Sequence, residues 1–251
     1  MPLYASKDFR GKSAAGLYGD MIEEVDWSVG QVLAALKELR LDDRTLVVFT
    51  SDNGQSGIAA RPLHGGKGST WEAGLRVPCI VRWPRRVPAG ATCRELAVMF
   101  DWMPTLAHLA GARPPADRKI DGKDIWPLVT GQAGAKTPHE CFIYYSREAK
   151  ASAIRAGKWK LHVVPPVERW AGKLPPEALL DKKPAEDPPW LYDLGADIGE
   201  TKNIAREHPE VVERLRKLLE EMDAMLTREA RPIFAPPASR PAGSQPKAAA
   251  R

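Results

Sequence analysis

The sequence predicts an α/β fold that gives way, toward its C-terminus, to a small antiparallel sheet and a closing helix. Three observations carry this reading. From Leu17 to Leu39 the apolar residues Met21, Ile22, Val25, Val29, Val32, Leu33 and Leu36 recur every three or four positions with charges between them, the pattern of a long amphipathic helix. After Asp42-Asp43, the run Thr45-Leu46-Val47-Val48-Phe49-Thr50 is short, continuous and rich in β-branched residues, as a strand buried on both faces of a parallel sheet would be. Further on, Cys141 to Ser146, Ser152 to Ala156 and Trp159 to Val164 are strand-like runs, the last two joined through Gly157-Lys158, which is the texture of antiparallel hairpins.

The remaining elements follow in order. Ser51 to Arg76 is polar and glycine-rich, too long for a simple connection, and reads as a functional loop. Val77 to Trp83 resumes a strand-like run, with Pro78 confining it to a strand start or an edge. Asp101 can cap a helix running through Leu109 and stopped by Gly111. Seven prolines crowd Pro165 to Pro189, an expected surface loop. Pro209 opens a last helix with Val212, Leu215, Leu219, Met222 and Leu226 on one face. The expected organisation is an α/β portion over residues 1–135, a small subdomain over 136–226 and a disordered tail over 227–251.

Composition narrows the function. With 251 residues, 43% hydrophobic and 27% charged, the chain has the balance of a globular protein and ample length for a core. No run of about 18 apolar residues occurs, so no membrane-spanning helix is expected. The net charge of +5 invites a nucleic-acid reading. Yet beyond Thr227, Arg228, Arg231, Arg240, Lys247 and Arg251 stand against Glu229 alone, so the tail holds +4 of that total and the body is nearly neutral. With no recognised binding motif, no nucleic-acid partner is expected. Cys79, Cys93 and Cys141 form no Cys-x-x-Cys pair that would suggest a zinc or redox site. The N-terminus has no positively charged start followed by an apolar stretch, so no export signal is expected from it.

Two features could carry chemistry. Thr50-Ser51-Asp52-Asn53-Gly54 stands at the carboxyl end of the first strand, where open α/β sheets bind ligands. Asp52 offers a carboxylate and Asn53 a carbonyl oxygen, hard ligands suited to calcium or magnesium, although Asp-Asn-Gly is also common turn chemistry. The second is His64-Gly65-Gly66-Lys67-Gly68-Ser69-Thr70. A nucleotide phosphate loop needs a further glycine upstream, where this chain has Arg61-Pro62, so that reading fails. What survives is Lys67 on bare backbone, either a point charge placed against an anion or a solvated loop lysine.

These stretches, with the following Trp71-Glu72-Ala73-Gly74-Leu75-Arg76-Val77-Pro78, strongly resemble the arylsulfatase family of sulfatases. The resemblance extends along nearly the whole chain. Tyr18-Gly19-Asp20-Met21-Ile22-Glu23-Glu24-Val25-Asp26-Trp27-Ser28-Val29-Gly30 is similar to the family's helix before its metal-binding strand. Asp101-Trp102-Met103-Pro104-Thr105-Leu106 and Asp121-Gly122-Lys123-Asp124 are similar to a later helix start and loop, and Leu191-Tyr192-Asp193-Leu194 with Gly199-Glu200-Thr201-Lys202-Asn203 to its C-terminal signature.

The resemblance implies a hydrolase of sulfate esters on a partial alkaline-phosphatase-like α/β sheet, acting on a sulfated small molecule or glycan. It implies that Asp52 and Asn53 bind a single Ca2+, with Mg2+ a possible substitute, and that Lys67 contacts the sulfate. His64, where relatives often carry arginine, would either touch substrate or only line the loop, and Ala73 stands where they often have glycine. Related phosphodiesterases and phosphonate hydrolases often carry histidine at the position of Asn53, so asparagine favours the sulfatase reading.

One departure is large. The family's formylglycine nucleophile is made from a Cys/Ser-x-Pro-x-Arg motif, and no cysteine here has a proline two residues on; Ser239-Arg240-Pro241-Ala242-Gly243 begins correctly and ends in glycine. The family's N-terminal aspartate pair and its upstream lysine and histidines are also unmatched. The chain is therefore expected to correspond to the C-terminal part of a sulfatase, to be inactive alone, and to be completed by an N-terminal half. A stand-alone, non-catalytic metal- or anion-binding module is the other class of reading. Family members are commonly periplasmic, secreted or lysosomal, and the sequence does not choose among these.

Overall fold

The computed structural model describes residues 3–55, 61–146, 149–166 and 187–230. It divides into two compact units: Met1–Gly54 with Arg76–Pro115 and Ile120–His139, and Gln55–Leu75 with Ala116–Lys119 and Glu140–Arg251.

In the first unit α1 spans Gly16–Glu38. Its entry is held by Asp20, whose buried carboxylate accepts the backbone N–H groups of Gly11, Lys12 and Ser13 at 2.8, 3.0 and 2.7 Å. Three charge-assisted bonds hold that carboxyl below its ordinary pKa. The sequence periodicity is real, but among the described residues its apolar stripe is left open: Ile22, Val25 and Val32 are 43–56% exposed.

β1 (Val47–Thr50) pairs antiparallel with β2 (Cys79–Arg82), Val47 opposite Arg82 and Thr50 opposite Cys79. This corrects the expectation of a parallel strand buried on both faces. All four β1 residues are half-buried, and the partner given to β1 among the described residues is β2 alone. An apolar β-branched run specifies a strand, but not the direction of the strand beside it. A bidentate Arg82–Asp42 pair at 2.6 and 2.9 Å fastens the end of this ribbon.

α3 (Trp102–Leu109) follows a single turn over Met99–Asp101 and ends at Gly111, whose φ of +71° suits a residue without a Cβ. Asp101 does stand at the helix start, yet its side chain does not cap α3. The fully buried carboxylate accepts the N–H groups of Val98 and Lys123, both at 2.8 Å, and meets His139 Nε2 at 2.8 and 3.0 Å. A four-residue helix, α4 (Trp126–Val129), completes the unit.

The second unit is a four-stranded antiparallel sheet with a helix against it. After the short α2 (Glu72–Leu75), the strands are β3 (Phe142–Tyr145), β4 (Ala151–Ala156), β5 (Trp159–His162) and β6 (Trp190–Asp193), in spatial order β3-β4-β5-β6. The register places Ile143 opposite Ile154, Ile154 opposite Leu161 and Leu161 opposite Leu191. Strand alternation therefore gathers these four on one face. There α5 (Pro209–Glu229) lays Val211, Leu215 and Leu219 against Ile154, Leu161 and Leu191.

Pro209 opens α5 as expected, while Val212, Met222 and Leu226 are half-buried flanks and Val211 joins the core instead. α5 continues through Glu229, into the stretch expected as tail. Residues 231–251, and most of the proline-rich stretch over 167–186, lie outside the described residues.

Candidate functional site

Asp52 and Asn53 belong to the first unit and follow directly on β1. Asp52 is exposed, and its Oδ1 accepts a 3.3 Å bond from Ser51 Oγ, which also lies 3.4 Å from the carbonyl of Asn53. The donors are hard oxygens of the type calcium prefers. In number they fall short: no group of three or more His, Cys, Asp or Glu residues is placed to hold an ion among the described residues. Two adjacent side chains do not close a shell of six to eight ligands.

His64 and Lys67 belong to the second unit, on the loop leading into α2. Lys67 is exposed, and its ammonium has no partner among the described residues. Its backbone is tied down: the Lys67 N–H donates to the Gln55 carbonyl at 2.7 Å. Ser69 closes the adjoining turn, its Oγ donating to the Gly66 carbonyl at 2.8 Å and its own N–H reaching that carbonyl at 3.0 Å. Gly74 lets this turn pass close, because a Cβ there would fall 2.4 Å from the Ser69 carbonyl and 2.6 Å from that of Gly66.

His64 is turned inward. It is 3% exposed and stacks on Trp71 with ring centroids 4.1 Å apart and planes 22° from parallel. Burial, opposed by the nearby Glu200 and assisted by His162 and Lys160, lowers its pKa to about 4, so the ring is neutral near pH 7. Its carbonyl receives the N–H of Ala73 at 3.0 Å, closing the loop on itself.

Beneath this loop lies a buried ionic cluster that was not foreseen from the sequence. Lys160 and His162 alternate with Leu161 on β5, so they project from the face opposite α5, beside Tyr144, Arg155, Trp190 and Tyr192. The fully buried Lys160 ammonium lies 2.9 Å from Glu72 Oε1 and 2.8 Å from Glu200 Oε1. Tyr144 donates its hydroxyl to Glu72 Oε1 at 3.0 Å, and Arg155 lies 3.8 Å from Glu72 Oε2. Glu200 also receives His162 Nε2 on Oε1 at 2.9 Å and the backbone N–H of Glu72 on Oε2 at 2.7 Å.

The pairing explains how these charges tolerate burial. Two carboxylates face one ammonium and one guanidinium, and each carboxylate carries further hydrogen bonds, the condition for a buried ion pair to persist. Burial keeps His162 below its ordinary pKa and therefore neutral, and since a carboxylate can only accept, Nε2 carries the proton. Burial, with Glu72 nearby, holds the Tyr144 phenol protonated far above its usual range.

The sequence signal for this cluster was present but small. Two polar side chains alternate inside an apolar strand, and Glu72 and Glu200 stand within the two family-like motifs. His162 packs its ring 4.7 Å from Trp71 within the cluster. Trp71, Trp190, Tyr192 and Leu194 complete the wall around it.

Comparison with known proteins agrees with this architecture. A sulfatase family model matches residues 2–112, one for the C-terminal region of aryl-sulfatase matches 137–237, and one for the C-terminal part of N-sulphoglucosamine sulphohydrolase matches 66–171. The chain is 40% identical over 243 residues to steryl-sulfatase of Mus musculus, covering 88% of this chain and 38% of that protein. It is 36% identical over 246 residues to arylsulfatase A of Bos taurus, covering 90% and 48%. Among solved structures, a Bacteroides thetaiotaomicron protein described with that organism's metabolism of multiple glycosaminoglycans superposes with a TM-score of 0.73 at 32% identity, over 89% of this chain and 48% of that one. The chain thus spans less than half the length of each. On the fold, the ordered motifs and these matches, the chain belongs to the sulfatase family and carries that family's C-terminal region.

Proposed function

We propose that this chain forms part of a hydrolase of sulfate esters, with Lys67 contacting the sulfate group and Asp52 and Asn53 contributing oxygens to a divalent cation, calcium in preference to magnesium. Breaking a sulfate ester moves charge onto the oxygens about sulfur, and a fixed ammonium aimed at them stabilises that charge without reorganising. The observation that carries the reading is Lys67 itself: an exposed, unpaired cation on a loop whose backbone is held on both sides of it. When bound, a divalent cation would supply positive charge to a sulfate oxygen. His64, buried and neutral, would act by holding the loop and not by touching substrate.

The nucleophile is the missing part. No Cys/Ser-x-Pro-x-Arg motif occurs in the 251 residues, and loss of a covalent nucleophile forfeits several orders of magnitude in rate. The chain alone is therefore read as inactive, with its chemistry completed by an N-terminal half carrying the formylglycine. The exposed apolar stripe of α1, where Ile22, Val25 and Val32 stand uncovered, is a surface such a half would cover.

The test has two arms. The isolated chain, given an aryl sulfate and calcium, is expected to show no turnover; hydrolysis above the buffer rate would contradict the assignment of the nucleophile to another segment. DNA upstream of the Met1 codon is then translated in frame. A frame containing Cys/Ser-x-Pro-x-Arg supports a complete sulfatase, whose activity Lys67→Ala should abolish, whereas a stop codon with no such motif favours a non-catalytic module.

A further inference from the structure

We infer that Glu200 is a positioning residue for Lys67, and that the buried cluster of Glu72, Lys160 and Glu200 fixes the anion-contacting loop onto the small C-terminal sheet. The inference rests on the reading of Lys67 as the sulfate contact.

The connection runs through few bonds, all within one compact unit. Lys67 stands five residues before Glu72. Glu72 is gripped twice, by its backbone N–H on Glu200 Oε2 at 2.7 Å and by its side chain on Lys160 at 2.9 Å and Tyr144 at 3.0 Å. Lys160 in turn spans both carboxylates from the middle of β5. From Glu72 back to Lys67 the chain has little freedom: Ala73 is bonded to His64, Ser69 to Gly66, and Lys67 to Gln55. The backbone beneath the Lys67 ammonium is therefore anchored at both ends, and the distal anchor is Glu200, contributed from beyond β6.

The arrangement does more than add stability. Buried ion pairs are weak sources of net stability, because desolvation offsets most of the attraction, but they strongly disfavour any register that leaves one member alone. Here both carboxylates and the ammonium are 2% exposed or less, so a shift of the loop would strand a charge. A point charge acting on a sulfate oxygen needs that constraint, since displacement by about 1 Å can cost up to roughly a hundredfold in rate.

The experiment uses the full 251-residue chain, with amide hydrogen exchange and NMR titration with inorganic sulfate. In Glu200→Gln, the amides of Gly66, Lys67 and Ser69 are expected to exchange at least about tenfold faster while those of Ile154 and Leu161 keep their protection, and the sulfate-induced shift at Lys67 weakens by roughly tenfold. If Glu200→Gln unfolds, the charge-balanced pair Lys160→Met with Glu200→Leu replaces it, since such apolar swaps of buried ions commonly fold. The same loosening confined to the loop is expected there. Either folded variant with the Gly66–Ser69 amides as protected as in the native chain would overturn the positioning role. Absence of any sulfate shift at Lys67 in the native chain would instead overturn the reading of Lys67 as the anion contact, and the exchange comparison would still decide the role of Glu200.

Discussion

The carboxylate of Glu200 accepts the backbone N–H of Glu72 at 2.7 Å, across 128 residues of sequence, and the Lys160 ammonium sits between the two side chains. The relationship makes Lys160 the residue whose loss the unit tolerates least. Lys160→Met removes the ammonium that both buried carboxylates share, Arg155 lying farther off at 3.8 Å from Glu72, and breaking a buried pair in this way costs about 3–5 kcal/mol. Urea unfolding near pH 7 should show that loss. A Lys160→Met variant within 1 kcal/mol of native would mean that the cluster is hydrated and not the closed network described.

The buried histidine gives a pH dependence with a defined sign. His64 titrates at about 4 in the folded chain against 6.5 when unfolded. Below pH 6.5 the unfolded state therefore takes up a proton that the folded state refuses, and stability falls as pH falls, while above 6.5 this residue contributes no slope. Between pH 7 and 4.5 the loss amounts to about 2.5 kcal/mol. His162, lowered by burial in the same direction, adds to it. His64→Phe keeps a ring against Trp71 and should flatten the curve over that interval, and equal slopes for the variant and the native chain would refute the assignment.

Much of the fold was legible because periodicity reports which face of an element is apolar. α1, α3 and α5 and strands β3 to β5 follow directly from it. β6 is not legible as a strand, because four residues after a proline-rich stretch carry too little alternation. The direction of β1 was misread because Val47, Val48 and Phe49 specify burial and say nothing of which neighbour supplies it. The placement of Lys67 on an exposed, glycine-framed loop was readable from composition. Its support was not, since it joins positions 72, 160 and 200 and exists only once the strands are in register. Asp101 shows the same limit: a helix-start aspartate was visible, while its true partners, Lys123 and His139, lie far along the chain.

Asp101 should prove the most sensitive position of the first unit. Its carboxylate satisfies the Val98 and Lys123 N–H groups and His139 while fully buried. Alanine would leave these donors without an acceptor, at about 1–3 kcal/mol for each group left unsatisfied. Thermal melting of Asp101→Ala against the exposed control Asp117→Ala separates the two cases. A Tm within a degree of native for Asp101→Ala would refute the role as a buried hub.

Core packing gives an independent check on the second unit. Leu215 is fully buried between Ile154, Leu161 and Leu191, so Leu215→Ala should cost about 2–5 kcal/mol through lost burial and the cavity left behind. Met222, half-buried near the end of α5, should cost less when truncated. The opposite ranking in urea titrations would place α5 on the sheet in another register.

Calcium tests the proposed cation ligands. Asp52 and Asn53 provide two oxygens where six to eight are usual, so water must fill most of the shell and affinity should be weak, with a Kd on the order of 1 mM. At about 10 mM calcium, binding of that strength would stabilise the folded chain by about 1.4 kcal/mol, which a melting curve resolves. Asp52→Ala removes the only charged ligand and should abolish the shift, whereas Asp117→Ala, exposed and paired with the adjacent Arg118, should leave it intact. Magnesium holds its own waters more firmly and demands a stricter geometry, so it should stabilise the chain less than calcium at equal concentration. A calcium shift that survives Asp52→Ala would move the cation site elsewhere in the chain.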